Sequence, residues 1–222
     1  GFGSRQNRFS SRSDEDNKMP DQPVDPPIES QLVRTLLRGE FAITAELTPP
    51  VSGSSEGLLI EAESLRGSVD AVSLTDSPRG LVHMSALAAA GILVGAGIEP
   101  MLQITCRDRN RIALQSDILG ASALQVRNIL ILMGDKSDTN EIAPPKPVFD
   151  MESRELIHIA AKMRDGLALP SGREIVSTPK IFIGAADLLI DPPPNWQPRT
   201  LIQNVEAGAQ FVQTQPCFDI EV

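Results

Sequence analysis

Six apolar runs, none with clean period-two alternation, recur along this chain between stretches of helical periodicity. They lie at about residues 41–47, 70–75, 101–106, 128–133, 180–186 and 211–215, and the helical stretches at about 31–38, 56–66, 83–96, 109–123, 153–165 and 199–207. A strand covered on both faces has no polar face to alternate with, so these runs predict a parallel sheet with helices packed outside it. Strict strand-helix alternation leaves two architectures, an open doubly wound sheet or a closed barrel. The first strand runs into Glu46-Leu47-Thr48-Pro49-Pro50, where a dinucleotide fold would carry GxGxxG.

The expected fold is therefore α/β of the (β/α)8 TIM-barrel type, with only about six βα units in this chain. A closed eight-stranded barrel would need roughly 60 to 80 further residues. Residues 30–222 are accordingly expected to form a partial barrel, the catalytic domain, or one whose open edge something else covers. Residues 1–29 are rich in Ser, Arg, Asp, Asn and Pro and hold no apolar core of a signal peptide, so a disordered leader or tag is expected. The opening Gly1-Phe2-Gly3-Ser4 fits that reading, with Met19 a candidate native start.

Composition narrows the function classes. With 20 Lys+Arg against 29 Asp+Glu the net charge is -9, which repels a phosphate backbone and argues against a nucleic-acid partner. The longest apolar run, residues 84–98, is too short for an ordinary membrane span and is interrupted by Gly91, Gly95 and Gly97. Cys106 and Cys217 form no CxxC pair and no disulfide framework, so a reducing cytoplasm is expected and both read as packing residues. His83 and His158 are too few and too separated for a metal site, and no GxxxxGK[ST] loop offers a phosphate cradle.

In a barrel, the chemistry sits at the C-terminal ends of strands. Polar residues cluster there: Glu46, Thr75, Gln103, Asp135 and Gln215. Glu46, between Ala45 and Leu47, is expected to be buried, either as a general acid with a raised pKa or as half of a hidden ion pair with Arg. Asp135 follows an apolar strand and Gly134, a context equally that of a site and of a turn or N-cap. Thr75 and Gln103 could each be loop caps. Gln215 carries an amide that both donates and accepts, which suits a heterocycle.

Taken in order, the strand ends resemble the methylenetetrahydrofolate reductase family. The residues that carry the likeness are Ala45-Glu46-Leu47-Thr48-Pro49-Pro50, Val72-Ser73-Leu74-Thr75-Asp76, His83-Met84-Ser85-Ala86-Leu87-Ala88, the run from Leu102 to Arg111, Leu132-Met133-Gly134-Asp135, Lys146-Pro147-Val148-Phe149-Asp150 and Thr214-Gln215-Pro216-Cys217-Phe218-Asp219. The resemblance implies a flavoenzyme that reduces 5,10-methylenetetrahydrofolate to 5-methyltetrahydrofolate, or the reverse, by hydride transfer from NAD(P)H through FAD. It implies Glu46 as general acid, Asp135 as electrostatic stabiliser and substrate ligand, and Gln215 as pterin ligand. Flavin contacts would fall on Thr75, Gln103, Met133, Gly134, Asp135, Ser153, Ala186, Leu188, Gln197, Thr200, Gln203 and Asn204. A homo-oligomer or a hetero-subunit partner is expected.

Departures from the family pattern concentrate after the fifth strand. Gly184-Ala185-Ala186-Asp187-Leu188-Leu189 stands where the family usually has Gly-Ala-Ala-x-Asn-Pro, and Gln197, Thr200, Gln203 and Asn204 are neutral where polar and basic flavin contacts are common. Each charge-assisted bond lost there would cost roughly 1.5 to 3 kcal/mol. The alternative reading is a folate-binding barrel or partner subunit that acts without flavin chemistry.

Overall fold

The computed structural model describes residues 28–135, 145–188, 194–216 and 218. The expected leader, apart from its last two residues, lies outside them, as does Cys217. Helix α1 (Gln31–Leu37) precedes β1 (Thr44–Leu47), and then helix and strand alternate: α2 (Glu56–Leu65), β2 (Ala71–Leu74), α3 (Ala86–Gly95), β3 (Pro100–Thr105), α4 (Arg111–Ala123), β4 (Asn128–Leu132), α5 (Ser153–Asp165), β5 (Phe182–Asp187), α6 (Arg199–Ala207) and β6 (Phe211–Thr214).

All six strands are parallel and lie in sequence order, β1-β2-β3-β4-β5-β6. An order without reversal has no switch point, which rules out a doubly wound sheet. The sheet curls into a half-barrel, the fold expected for a truncated (β/α)8 chain. Right-handed crossovers between neighbouring parallel strands put every connecting helix on the same side.

Register divides the side chains cleanly between the two faces. Leu47, Val72, Leu74, Leu102, Ile104, Ile129, Ile131, Ile183 and Ala185 point outward and share one buried cluster with Leu58 and Ala62 of α2, Ala89, Ala90 and Leu93 of α3, Leu114 and Ile118 of α4, and Leu156 and Ala160 of α5. That cluster is the main core. The inward face changes character along the barrel axis. Its N-terminal half is apolar, with Ala71, Met101 and Leu130 packed against Leu32 of α1, so α1 plugs the bottom. Its C-terminal half is polar, carrying Glu46, Ser73, Thr75, Gln103 and Thr105.

The plug is fastened by polar groups, of which Ser30, Thr35 and Asn128 are buried. The Glu99 carboxylate accepts from the backbone amides of Gln31 (2.5 Å) and Leu32 (3.0 Å) at the start of α1, where a negative charge meets the helix dipole. Ser30 caps the same helix by accepting from the Val33 amide and donates toward Glu99 and Asn128. On the other side of α1, Asp70 accepts from the Thr35 hydroxyl and the Ile43 amide.

Several expected boundaries move. The first strand begins at Thr44 rather than residue 41, because its pairing with β2 starts at Thr44 opposite Ala71; Ile43 is tied to Asp70, just before β2, and Phe41 is 90% exposed. The third helix starts at Ala86 rather than 83, since His83 and Met84 are tied back to the carbonyls of Pro49 and Pro50. Gln103 lies inside β3 and not at its end, which is Thr105.

Candidate active site

The C-terminal half of the inner face brings together three of the polar groups. Pairing of β1 with β2 sets Glu46 beside Ser73, and β3 carries Gln103 one strand further. The buried Gln103 amide donates to Glu46 Oε2 (3.1 Å) and to Ser73 Oγ (3.0 Å). Glu46 itself is exposed, contrary to the burial its neighbours Ala45 and Leu47 suggest. Those two residues face the helices, or that side of the sheet, while Glu46 faces a concave surface that stands open between the unpaired edges of β1 and β6. Its partner is an amide, not a hidden Arg. A carboxyl held by a buried amide and open to solvent can reach a substrate laid across the inner face.

Thr75 follows β2, is buried, and donates its hydroxyl to that of Thr48 (3.1 Å), tying together the loops after β1 and β2. Asp135 stands exposed beyond β4, after the half-exposed Met133 and after Gly134. Gly134 has φ 87°, and a Cβ there would lie 2.9 Å from Arg107 Cβ and 3.1 Å from Thr105 Cβ. The close approach that requires glycine is to the chain's own residues at and just after the end of β3. Gln215, exposed just past β6, donates its backbone amide to the carbonyl of Asp187 (3.2 Å). Glu46 and Gln103 are in contact; Asp135 and Gln215 reach the same end of the sheet on separate strands and make no side-chain bond to that pair.

Beyond β5 the chain forms a cavity of about 480 Å³ lined by Asp187, Leu188, Asn195, Trp196, Gln197, Pro198, Arg199 and Thr200. Three of the expected flavin positions, Leu188, Gln197 and Thr200, line it. Ala186 ends the inner face of β5, Ser153 opens α5, and Gln203 is held by Arg154 on α5, while Asn204 is buried and lies outside the cavity lining. Arg199 was not among the expected contacts, yet it supplies a guanidinium at the first turn of α6. No side chain at Pro198 caps that helix; the Arg199 amide donates to the Gln197 carbonyl (2.8 Å), and among the described residues the amides of Thr200 and Leu201 remain available to an acceptor. Guanidinium, free helix amides and the Trp196 ring form a donor set that fits the phosphates and a ring of a dinucleotide, with Asp187 the opposing charge.

Two further networks escaped the sequence reading. Asp76 accepts from the Thr105 amide (2.8 Å) and hydroxyl (3.0 Å) and pairs with Arg109, which also pairs with Asp117 (2.7 Å). Arg107, only 2% exposed, spans the rim loops. In sequence both arginines sit in the run Cys106-Arg107-Asp108-Arg109-Asn110-Arg111, whose density of charge looks like a solvated loop. Cys106 is fully buried, and desolvation pushes its thiol up to about 11, as fits a packing residue.

A family model described as methylenetetrahydrofolate reductase matches residues 31–222, nearly the whole described chain and all six strand ends. The chain belongs to the methylenetetrahydrofolate reductase family. No curated protein matches it at a significant level. Membership in the methylenetetrahydrofolate reductase family supports a folate-related oxidoreductase of one-carbon metabolism. Among the described residues, no helix is long and apolar enough to cross a membrane.

Proposed function

We propose that this protein interconverts 5,10-methylenetetrahydrofolate and 5-methyltetrahydrofolate, with NAD(P)H as the electron donor and FAD as the carrier. The observation that supports this best is the Glu46 carboxyl, held by Gln103 at the polar end of an open barrel face in a chain of this family. FAD, when bound, supplies the hydride; Arg199, Gln197, Thr200 and the start of α6 would hold its phosphate end.

The protein's own residues handle the proton and the charge. In the reducing direction Glu46 delivers a proton from its carboxyl to the folate nitrogen whose bond to the bridging carbon breaks, and the resulting iminium takes the hydride at that carbon to become a methyl group. Asp135 lowers the energy of the cation by carrying the opposite charge at the end of β4. Gln215 orients the pterin, its amide able to donate to a ring carbonyl or nitrogen and accept from a ring N–H at once. Gln103 keeps the Glu46 carboxyl aimed across the inner face.

Glu46→Gln tests this reading. The variant keeps the size of the side chain and its bond to Gln103 but has no proton to give, so turnover should fall on the order of 10²- to 10⁴-fold while 5-methyltetrahydrofolate still binds. Unchanged turnover removes Glu46 from the chemistry. The Asp187 carboxylate beside the phosphate end favours a second reading, a folate-binding subunit without flavin, and tight folate binding with no turnover after FAD and NAD(P)H are supplied would select it.

A further inference from the structure

Arg107 makes a set of bonds that exceeds what a strand end needs. Its Nη2 donates to the carbonyl of Ser77 (2.7 Å) in the loop after β2, and its Nη1 to the carbonyl of Asp135 (3.2 Å) after β4. Nε and Nη2 grip Asp108 as a two-point pair (2.8 and 2.6 Å), and its own carbonyl accepts from the amides of Val148 (2.7 Å) and Phe149 (3.4 Å) before α5. One side chain and its carbonyl therefore join four segments of the rim.

Two of those segments carry backbone in the left-handed region without being glycine: Ser77 at φ 49° and Phe149 at φ 40°. Such residues cost of order 1–3 kcal/mol each and persist only where their surroundings impose them. The Arg107 guanidinium holds Ser77, and the Arg107 main-chain carbonyl accepts from Phe149. Burying a guanidinium is itself unfavourable unless it is paired and its donors are met. Here the buried cation holds main chain in place where an apolar side chain of the same volume would pack at less cost.

We infer that Arg107 is a positioning residue: it fixes the Asp135 main chain, and with it the Asp135 carboxylate, relative to the loops after β2 and β3. This rests on the role proposed above for Asp135. Arg107 touches no reacting atom and acts through the rim it assembles. Lysine cannot replace it, because a single ammonium lacks the planar fork that meets Ser77, Asp135 and Asp108 in different directions.

The test has two arms on the full chain, each with Arg107→Met and, should that variant not fold, Arg107→Lys. In the first, hydrogen exchange is followed by mass spectrometry. Amides at residues 76–80, whose segment loses the bond from the guanidinium to the Ser77 carbonyl, should exchange on the order of tenfold faster than in the wild type, while those of β3, β4 and of Val148 and Phe149, which bond to the retained main-chain carbonyl of residue 107, hold their protection. Unchanged exchange at the rim overturns the inference.

In the second arm, kcat/KM for the folate is measured with Arg107 substituted alone and on top of Asp135→Asn. A displaced carboxylate should cost about a hundredfold alone and under about threefold once Asp135 is neutral. Equal losses in the two backgrounds overturn the link to Asp135. If the wild type turns over no folate, the proposed function fails instead, and the exchange arm still decides the place of Arg107.

Discussion

The Asp70 carboxylate shows how single residues fasten this fold. The Ile43 amide first, and the Thr35 hydroxyl second, hold its carboxyl below the ordinary carboxylate range. A carboxyl with a lowered pKa in the folded state contributes stability in full above its unfolded value, about pH 4, and loses it as pH falls through the folded value. Asp70→Asn should therefore flatten the acid side of the stability profile and leave its neutral side parallel to the wild type, as read by urea unfolding at stepped pH. Cys106 makes the opposite case. With its thiol pushed up to about 11 and no exposed surface, it should resist alkylation at neutral pH in the folded protein and react once denaturant is added. That inertness was legible in the sequence, because Cys106 ends an apolar run with no His beside it. The exposure of Glu46 was not legible: Ala45 and Leu47 report on the face toward the helices and say nothing of the face Glu46 occupies. Nor was the burial of Arg107, since charge along a loop does not reveal which side chain folds inward.

Among the elements, α5 and α6 fall at the boundaries their periodicity predicts, as helices with one apolar stripe do. Strand ends shift because the inner and outer faces lose burial at different points. Close packing in β5 and β6 depends on a feature without sequence warning. Gly184 sits beside Phe211, whose ring stacks on Phe182 with centroids 4.8 Å apart, and a Cβ on Gly184 would clash with the Phe211 ring. Gly184→Ala should cost about 1–3 kcal/mol by displacing Phe211, measured as a lower urea midpoint, and Phe211→Leu should recover part of it by relieving the clash. At the opposite end, Ser30→Ala removes the cap of α1 and the one hydroxyl proton that Asn128 Oδ1 and Glu99 Oε1 share. A loss of about 1–2 kcal/mol is expected, with α1 the first segment to gain hydrogen exchange.

At the scale of the molecule, six parallel strands in sequence order make a half-barrel with a graded interior, apolar and plugged by α1 at one end, polar and open at the other. Strand order and the location of the polar end followed from the pattern of apolar runs, because parallel βα units leave few topologies and one working face. The cation at the cavity after β5 did not follow. Matching positions to the family pattern singled out Gln197 and Thr200, which line the cavity, and Gln203 and Asn204, which do not, but passed over Arg199, which lies between the first two and lines it as well. The central claim is that Glu46 supplies the proton for folate reduction on this face. The direct measurement is formation of 5-methyltetrahydrofolate from 5,10-methylenetetrahydrofolate by the purified chain supplied with FAD and NAD(P)H, with the wild type and Glu46→Gln run side by side. Turnover by the wild type that is lost in Glu46→Gln, with folate binding kept, is the predicted result; no turnover by either, or equal turnover by both, would contradict it.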